Sequence, residues 1–240
     1  MKPRICVSLA ANDPSDISAL IRRAEEAEAD LIEIRLDYLS LNSSSALKIL
    51  KAFVEESSIP MIATNRDYKQ GGLKPQDEDS RIQLLIQAAK AGFQYVDIEL
   101  TTVEVKLIVE KIKSCGAKPI VSFHDFEKTP SFQKMERIVK SEVEMGAEVC
   151  KLVTTAHTIE DSIKCLMLTK KMSRLTKIVC FAMGSKGLLS RILSPVFGGY
   201  FTFASTSRAA KTAPGQPSIE DLKSLYLKSV SYTHLTLPTN

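Results

Sequence analysis

A lysine stands inside an apolar run at residues 148–155, Glu-Val-Cys-Lys-Leu-Val-Thr-Thr. Removing a charged amine from water is unfavourable unless a partner or a change of protonation compensates for the lost hydration. Lys151 therefore has two interpretations. In the first, it pairs with a neighbouring carboxylate or extends its head group to water from the strand end. In the second, it is an amine nucleophile in a dry pocket, where it attacks a carbonyl carbon and forms a Schiff base.

His124 supplies the acid–base chemistry that a Schiff base would need. It follows the apolar run 119–123 and precedes Asp125. An iminium ion acidifies the neighbouring carbon, and a histidine that titrates near neutral pH can remove that proton. A histidine after a strand is often structural, but adjacent strands lie about 5 Å apart, so His124 and Lys151 reach the same atoms if their strands are neighbours. Barrel aldolases and dehydratases share this chemistry, which leaves the substrate open.

Charged residues alternate with apolar ones in the segment 31–37, where Glu33, Arg35 and Asp37 project from one side. In a barrel the other side of the strand packs against helices, so these charges face the interior. There they must bind one another or a polar ligand, and we expect a ligand. For Asp97 and Glu99, a structural role as partners of Arg35 and Arg66 and a functional role are both open.

The elements that would position these residues follow a regular order. Short β-branched runs alternate with segments of helical periodicity, which is the pattern of parallel strands joined by helices. Successive strands begin about 23 to 34 residues apart, close to one strand–helix unit each. This predicts an α/β fold, a single-domain (βα)8 TIM barrel with its chemistry at the C-terminal ends of the strands. The predicted strands are residues 4–10, 31–37, 61–66, 95–100, 119–124, 149–154, 177–183 and 200–205.

The open doubly wound sheet also alternates strands and helices, but it usually carries a glycine-rich first turn. Residues 8–13, after the first strand begins, are Ser-Leu-Ala-Ala-Asn-Asp and contain no GxGxxG motif, which favours the barrel. Asp13 and Asp77 are typical residues for the start of a helix. Three glycines each end a helix shortly before the next strand: Gly92, Gly116 and Gly146.

Composition narrows the classes of function. The chain has 240 residues, of which 44% are hydrophobic, enough for one large core. Its 32 basic and 28 acidic residues are mixed along the chain, so the net charge of +4 forms no stripe for nucleic acid and suits an anionic small molecule. No window has the roughly 18 apolar residues of a membrane span, and we expect no signal sequence. The 5 cysteines include no CxxC pair, which favours a cytoplasmic setting.

The C-terminal residues break the pattern of the chain. Residues 229–240 carry no charged side chain and follow a segment, 218–228, that reads as a complete final helix. We therefore expect residues 1–228 to form the catalytic barrel domain and residues 229–240 to form a foreign or disordered tail, so that His234 has no role. A genuine C-terminal arm is the alternative, since termini are often loosely held.

Five motifs occur in order from the second strand to the region after the eighth. They are Glu33-Ile34-Arg35-Leu36-Asp37, Ser122-Phe123-His124-Asp125-Phe126, Cys150-Lys151, Ser190-Arg191 and Ala213-Pro214-Gly215-Gln216. Together they resemble the motifs of type I 3-dehydroquinate dehydratase, the Schiff-base enzyme family of the shikimate pathway. The resemblance covers residues 5–228.

This resemblance implies a cytoplasmic barrel, usually a homodimer, that needs no metal or organic cofactor and removes water from 3-dehydroquinate to give 3-dehydroshikimate. Lys151 would form the imine with the ketone, and His124 would take the C2 proton and then protonate the departing hydroxyl. Arg191 would hold the carboxylate, because a guanidinium can meet both oxygens. Hydroxyl groups would be bound by Glu33, Arg35, Arg66 and Gln216, and the pocket would be lined by Ser8, Met183, Phe203 and Ala213. Residues 212–216 would belong to a loop that closes over the substrate.

The chain departs from the family pattern at one position. Members often carry a glutamate after the strand-three arginine, where it orients the catalytic histidine, and Gln70 stands at the apparent match. Gln70 can still hydrogen-bond a ring nitrogen of His124 but cannot stabilise the imidazolium by charge, so we expect His124 to keep its role with a lower pKa.

Two other functions remain open at this point. A Schiff-base aldolase acting on a sugar phosphate would need a phosphate site of glycine amides after strands seven and eight. Gly184, Gly187, Gly198 and Gly199 are available there, but Arg191 and the prolyl loop suit a carboxylate better. A barrel that only binds a polyol acid is the second alternative, and it would not require a lysine and histidine pair.

Overall fold

Eight parallel strands alternate with eight α-helices in the computed structural model, which describes residues 2–41, 45–206 and 216–233. The strands are β1 Ile5–Leu9, β2 Leu31–Arg35, β3 Met61–Thr64, β4 Tyr95–Glu99, β5 Lys118–His124, β6 Val149–Thr155, β7 Lys177–Met183 and β8 Thr202–Ala204. The helices are α1 Pro14–Glu26, α2 Ala46–Glu55, α3 Glu78–Ala91, α4 Val105–Ser114, α5 Phe132–Glu144, α6 Ile159–Met172, α7 Leu188–Leu193 and α8 Ile219–Thr233.

The strands pair in the order β7-β6-β5-β4-β3-β2-β1-β8, and every pairing is parallel. β7 and β8 stand at the two ends of this order. The segment just before β8 is hydrogen-bonded to β7, where the Tyr200 N–H donates to the Ile178 carbonyl at 2.7 Å. We call this junction the seam. The result is a nearly closed barrel, which confirms the predicted fold.

Local sequence signals explain the helix boundaries. The Asp13 and Asp77 side chains accept hydrogen bonds from the backbone amides of Ser15 and Ser80 at 2.8 and 2.9 Å, so each caps the helix that follows. The three glycines predicted to end helices have left-handed backbones, with φ of 105°, 87° and 90° for Gly92, Gly116 and Gly146. A side chain would be strained at these angles.

The barrel interior has an apolar lower layer and a polar upper layer. The lower layer contains inward-facing residues near the strand starts: Cys6, Leu31, Ile62, Tyr95, Ile120, Val149 and Val179. Two residues further along each strand, the inward positions become Ser8, Glu33, Thr64, Asp97, Ser122, Lys151 and Phe181. The alternate side chains pack outward beneath the helices. Of these two layers, only the upper one, at the mouth of the barrel, carries charged side chains.

Several predicted boundaries differ from the structure. β2 ends at Arg35, so Asp37 lies in the 3-10 turn Leu36–Tyr38 and not on the strand. There its carboxylate accepts two hydrogen bonds from Arg35, at 2.8 and 2.7 Å, which turns the guanidinium back across the strand end. The last helix runs to Thr233, past the predicted end at residue 228. Among the described residues, no helix is both long and apolar enough to cross a membrane.

One carboxyl group is buried outside the barrel, between α5 and the strands. Glu142 shares the inner face of α5 with Met135 and Val139, and its side chain is fully buried. Neither of its carboxyl oxygens has a hydrogen-bond partner in the described part of the chain. Burial raises the pKa of Glu142 well above the usual value, because the ionised form loses its hydration.

Replacing Glu142 with Gln is expected to stabilise the protein at pH 9 by about 1–3 kcal/mol and to have little effect near pH 4. A carboxyl whose pKa is higher in the folded than in the unfolded state loses stability as the pH rises above the unfolded value of about 4.3. Gln cannot ionise, so this loss should disappear. Urea unfolding at both pH values measures the change.

The matched control for this variant is Glu144→Gln, which removes an exposed carboxyl from the same helix. It should not alter the dependence of the unfolding free energy on pH. An equal effect of Glu142→Gln at pH 4 and pH 9 would contradict the expectation.

Candidate active site

A cavity of about 280 Å³ opens at the C-terminal ends of the strands. It brings together eleven of the described residues that the sequence assigns to the site, but not Asp37, which binds Arg35: Ser8, Glu33, Arg35, Arg66, Gln70, His124, Lys151, Met183, Arg191, Phe203 and Gln216. Ala213 lies outside the described residues. These side chains come from widely separated parts of the sequence, and the barrel mouth is what joins them.

Lys151 lies inside the barrel wall with its amine facing the cavity. The side chain is only 5% exposed. Its Nζ atom lies 2.8 Å from Asp97 Oδ2 and 3.5 Å from Glu33 Oε1, and 4.5 Å from the centre of the Phe203 ring. The lysine therefore both pairs with carboxylates and lines the pocket. Its burial is stabilised by Asp97.

Asp97 is shared between two cations. Its Oδ2 atom accepts from Lys151 and also lies 2.9 Å from Arg66 Nη2, while Oδ1 accepts from the Ser122 hydroxyl at 2.6 Å. Burial alone would raise the pKa of Asp97, but Arg66 and Lys151 hold that pKa well below its usual range. Asp97 is therefore a permanent negative charge beside the amine.

Arg66 is the second partner of this carboxylate and lies just after β3. Its Nη1 atom donates to Glu99 Oε1 at 2.6 Å and to Ser122 Oγ at 2.8 Å. Asp97 and Glu99 thus pair with Arg66, as the structural interpretation of the sequence expected. Arg35 does not join them, because its guanidinium binds Asp37 and, at 3.2 Å, the Gly71 carbonyl.

His124 ends β5, which pairs with β6, and its side chain lines the same cavity as Lys151, although the residue opposite Lys151 in the strand register is Ser122. Its Nδ1 atom is buried and has no hydrogen-bond partner among the described residues. Burial lowers the pKa of His124 well below its usual value, and the positive charges of Arg66 and Lys151 lower it further. The imidazole is therefore neutral at pH 7 and can accept a proton.

Gln70 does not hydrogen-bond the His124 ring, and this corrects the expectation from the sequence. Its Oε1 atom accepts from the backbone N–H of His124 at 2.9 Å, and its Nε2 atom donates to Thr101 Oγ1 at 2.7 Å. Both ends of the Gln70 amide are therefore already hydrogen-bonded, to the His124 backbone and to the Thr101 hydroxyl. Gln70 thus fixes the end of β5, while the imidazole packs against Phe126, with ring centres 6.3 Å apart.

Arg191 is a buried cation on α7, which follows β7, the strand that pairs with the strand of Lys151. It is 3% exposed, and its guanidinium carbon lies 4.2 Å above the centre of the Phe181 ring. No acidic residue in the described part of the chain lies within ion-pair distance of it. Burial lowers the pKa of Arg191 to about 10, so the group stays charged at neutral pH. A desolvated cation of this kind suits an anionic ligand.

The remaining polar groups form a hydrogen-bonded wall. Glu33 accepts from Ser8 Oγ at 2.6 Å and from Thr64 Oγ1 at 2.8 Å. Gln216, which follows β8, is 2% exposed and reaches the same cavity. This wall can exchange hydrogen bonds with the hydroxyl groups of a polyol.

Sequence reasoning missed four residues that line the cavity: Gly71, Phe126, Val153 and Phe181. Val153 and Phe181 lie two positions from Lys151 and Met183, so strand alternation could have identified them. Phe126 belongs to a motif that was recognised without a role for its ring. Gly71 could not be inferred, because the left-handed backbone that favours glycine there, φ 90°, and the Phe126 ring packed against it appear only in the folded chain.

Within residues 2–41, 45–206 and 216–233, no group of three or more His, Cys, Asp or Glu side chains is arranged to hold a metal ion. The ligating groups near the cavity are instead bound to arginine, lysine or hydroxyl groups. The arrangement offers an amine, a neutral base and an isolated cation. It can condense with a carbonyl group and transfer a proton in a molecule that carries an anion.

Comparison with known proteins gives one consistent result. A model of the family described as type I 3-dehydroquinase matches residues 5–231. The 3-dehydroquinate dehydratase of Dehalococcoides mccartyi is 36% identical over 227 residues, which cover 92% of this chain and 98% of that protein. The bifunctional 3-dehydroquinate dehydratase/shikimate dehydrogenase of Arabidopsis thaliana is 36% identical over 228 residues, and the match covers 92% of this chain but only 36% of that protein.

The crystal structure of 3-dehydroquinate dehydratase from Geobacillus kaustophilus is also similar, with a TM-score of 0.91. It covers 97% of this chain and 93% of that one at 24% sequence identity, which establishes the shared barrel fold.

Replacing Gln70 with Glu is expected to raise the pKa of His124. The carboxylate can still accept from the His124 backbone amide and from a rotated Thr101 hydroxyl, so the geometry is kept while a negative charge is added near the ring. The chain contains 3 histidines, so NMR titration of the ring resonances can follow His124 directly.

Gln83→Glu is the control for this variant, because it adds the same charge to an exposed position on α3. The pKa of His124 should not move in that protein. If Gln70→Glu also leaves the His124 titration unchanged, the side chain at position 70 does not control the ring electrostatically.

Proposed function

The chain belongs to the type I 3-dehydroquinase family and is a 3-dehydroquinate dehydratase, a lyase, and we propose that it acts through an imine formed on Lys151. The observation that supports this mechanism best is the buried Lys151 amine, which faces the cavity while Asp97 lies 2.8 Å away. Buried lysines beside a carboxylate are suited to hold a positive charge that stays on the same nitrogen. An iminium ion is such a charge.

The first step joins the enzyme to the substrate. The unprotonated amine of Lys151 attacks the ketone carbon, the oxygen leaves as water, and a C=N bond replaces the C=O bond; uptake of one proton from solvent makes this imine an iminium ion. The iminium nitrogen then occupies the position of the former ammonium group beside Asp97. Because the carboxylate is already in place, the charge that develops needs no rearrangement of the site.

His124 carries out the proton transfers. Its neutral imidazole removes the proton from the carbon next to the iminium, and the bonding electrons move into the C=N bond to give an enamine. The enamine then expels the hydroxyl group, which His124 protonates to form water. Both proton transfers are completed within one pocket, and the imidazole returns to its neutral form. Hydrolysis of the imine releases 3-dehydroshikimate and the free amine.

Substrate recognition uses the other charged and polar residues of the cavity. Arg191 holds the carboxylate, since it is the buried cation there that lacks an acidic partner among the described residues. The substrate hydroxyls bind the polar residues Glu33, Arg35, Arg66 and Gln216. Ser8, Met183 and Phe203 shape the pocket, and Ala213 is assigned the same role on the strength of its motif.

The assembly and setting of the protein follow from the family resemblance and from composition. We propose a homodimer in the cytoplasm. The boundary at residue 228, with a foreign tail over residues 229–240, is likewise a proposal, and the family match ends close to it, at residue 231.

Treatment with borohydride in the presence of 3-dehydroquinate is expected to trap a covalent adduct on Lys151, detectable by mass spectrometry of the digested protein. Lys151→Ala should lose both the adduct and turnover, with kcat reduced roughly 10³-fold or more. Turnover is followed through the absorbance of the conjugated enone product.

Lys90→Ala, which removes an exposed lysine from α3, should keep both signals. A protein with Lys151 intact that dehydrates the substrate without ever gaining adduct mass would rule out the imine mechanism.

Arg191→Gln is expected to lower kcat/KM about 100-fold, mainly through a higher KM, because the substrate carboxylate would lose its buried partner. Arg191→Lys should be affected less, since it keeps the charge without the fork geometry. Steady-state kinetics with the enone assay measure both values.

The exposed residue Arg174 provides the control, as Arg174→Gln removes the same charge from the surface. An Arg191→Gln enzyme with an unchanged KM would show that the carboxylate is bound elsewhere.

A further inference from the structure

A continuous series of ion pairs runs from the protein surface to the catalytic amine. Opposite charges alternate along it, with successive separations of 2.8, 2.6, 2.6, 2.9 and 2.8 Å. We call it the charge chain, and its members are Glu78, Arg81, Glu99, Arg66, Asp97 and Lys151. Glu78 is 48% exposed, whereas the side chains of the other five are no more than 5% exposed.

Arg81 has no place in the mechanism above and does not line the cavity. It is nevertheless among the largest fully buried side chains, at 2% exposure. Its guanidinium is fixed on all sides, by Glu78 at 2.8 Å, Glu99 at 2.6 Å, the Asn65 carbonyl at 2.9 Å and Thr102 Oγ1 at 3.1 Å. A buried arginine with this many partners has one orientation.

The fixed orientation of Arg81 determines which oxygen of Glu99 is free to bind other groups. One of its oxygens, Oε2, is held by Arg81, which leaves Oε1 for Arg66 and for the Asp67 backbone amide at 3.1 Å. Without Arg81, Glu99 would be a buried carboxylate with a single cationic partner. It would then draw Arg66 towards itself, because an uncompensated buried charge is strongly unfavourable.

Arg66 cannot move towards Glu99 without loosening its contact with Asp97. Asp97 would then depend on Lys151 alone for its positive partner, which would favour the ammonium form of the lysine. The charged and titratable groups around the amine include Asp97 on β4, Glu33 on β2, Arg66 after β3, His124 on β5 and Arg191 on α7. Of these, Arg66 is the one that Arg81 can reach through a single intermediate residue.

We propose that Arg81 is a positioning residue for Lys151, acting through Glu99, Arg66 and Asp97 to keep the amine placed and available for imine formation. The inference that this affects catalysis rests on the proposed function, whereas the effect on the amine itself does not. The two are therefore measured separately.

The amine is measured by reductive methylation with formaldehyde and cyanoborohydride, in which only the unprotonated amine condenses with the aldehyde. Mass spectrometry gives the rate at Lys151 as a function of pH. In Arg81→Gln the half-maximal rate should move to higher pH, and in Arg81→Lys, which keeps a charge near Glu99, it should move less. An Arg81→Gln protein that is folded and shows the same profile as the parent overturns the proposal.

Two further variants separate positioning from general damage. Glu78→Gln breaks the outer, exposed pair and should leave the Lys151 profile unchanged. Arg81→Gln/Glu99→Gln removes the carboxylate that would pull on Arg66, so the profile should return towards that of the parent even if Arg81→Gln alone folds poorly. An equal shift in Glu78→Gln, or a double variant that shifts as far as Arg81→Gln, overturns the proposal.

Catalysis provides the second readout. Arg81→Gln should lower kcat about 10- to 100-fold and raise KM by a smaller factor, because of the proposed substrate contacts only Arg66 is displaced. If the parent protein forms no borohydride adduct with 3-dehydroquinate, the imine mechanism fails, and the methylation profiles still decide the role of Arg81.

Discussion

The ion pair between Lys151 and Asp97 is the interaction on which the rest of the site depends. An amine with 5% exposure can remain in a barrel wall only if a negative charge lies next to it, and Asp97 is 2.8 Å away. That carboxylate requires Arg66 in turn, and Arg66 requires Glu99. Removing one partner from such a set leaves an uncompensated buried charge, which costs about 3–5 kcal/mol. Burying the Lys151 amine therefore requires that Asp97, Arg66 and Glu99 be buried beside it.

The barrel can accommodate this group because its interior is divided into layers. Cys6, Leu31, Ile120 and Val149 close the lower layer with apolar side chains, and polar residues begin two positions later on the same strands. The apolar lower layer lowers the effective dielectric constant beneath the charges, and this strengthens their electrostatic interactions. Every second residue of a strand faces the barrel interior, so the same strands supply the apolar lower layer and, two residues later, the polar site.

The sequence predicted the fold and the members of the site well, because both depend on local periodicity. Alternation marked Glu33 and Lys151 as inward-facing residues, and cap residues placed the helices. The partners of each charge were harder to predict, since they depend on distances between strands that only the folded barrel defines. Arg35 binds Asp37 and not a residue of β4, because β2 ends two residues earlier than its apolar pattern suggests.

Gln70 illustrates the same limit in another way. Its position in the sequence identified the residue, but whether its amide meets a ring nitrogen or a backbone N–H depends on a difference of a few ångströms in a turn. Arg81 gave no signal at all, since an arginine in the first turns of an amphipathic helix is normally read as a surface residue. Only the folded structure shows that Arg81 is buried, through its ion pair with the Glu99 carboxylate.

The site has two parts, which differ in whether they lie next to the seam between β7 and β8. Lys151, Asp97, Arg66 and His124 belong to the continuously paired region from β3 to β6, where each strand is held on both sides. Arg191 and Gln216 come from segments that follow β7 and β8, next to the junction where Tyr200 bonds to Ile178. On the proposed mechanism, the imine forms among strands that are paired on both sides, and the carboxylate is bound by a residue next to the seam. If Arg191 binds the substrate carboxylate as proposed, substitutions along the seam would change the contacts to the acid and leave the ion pairs around Lys151 in place.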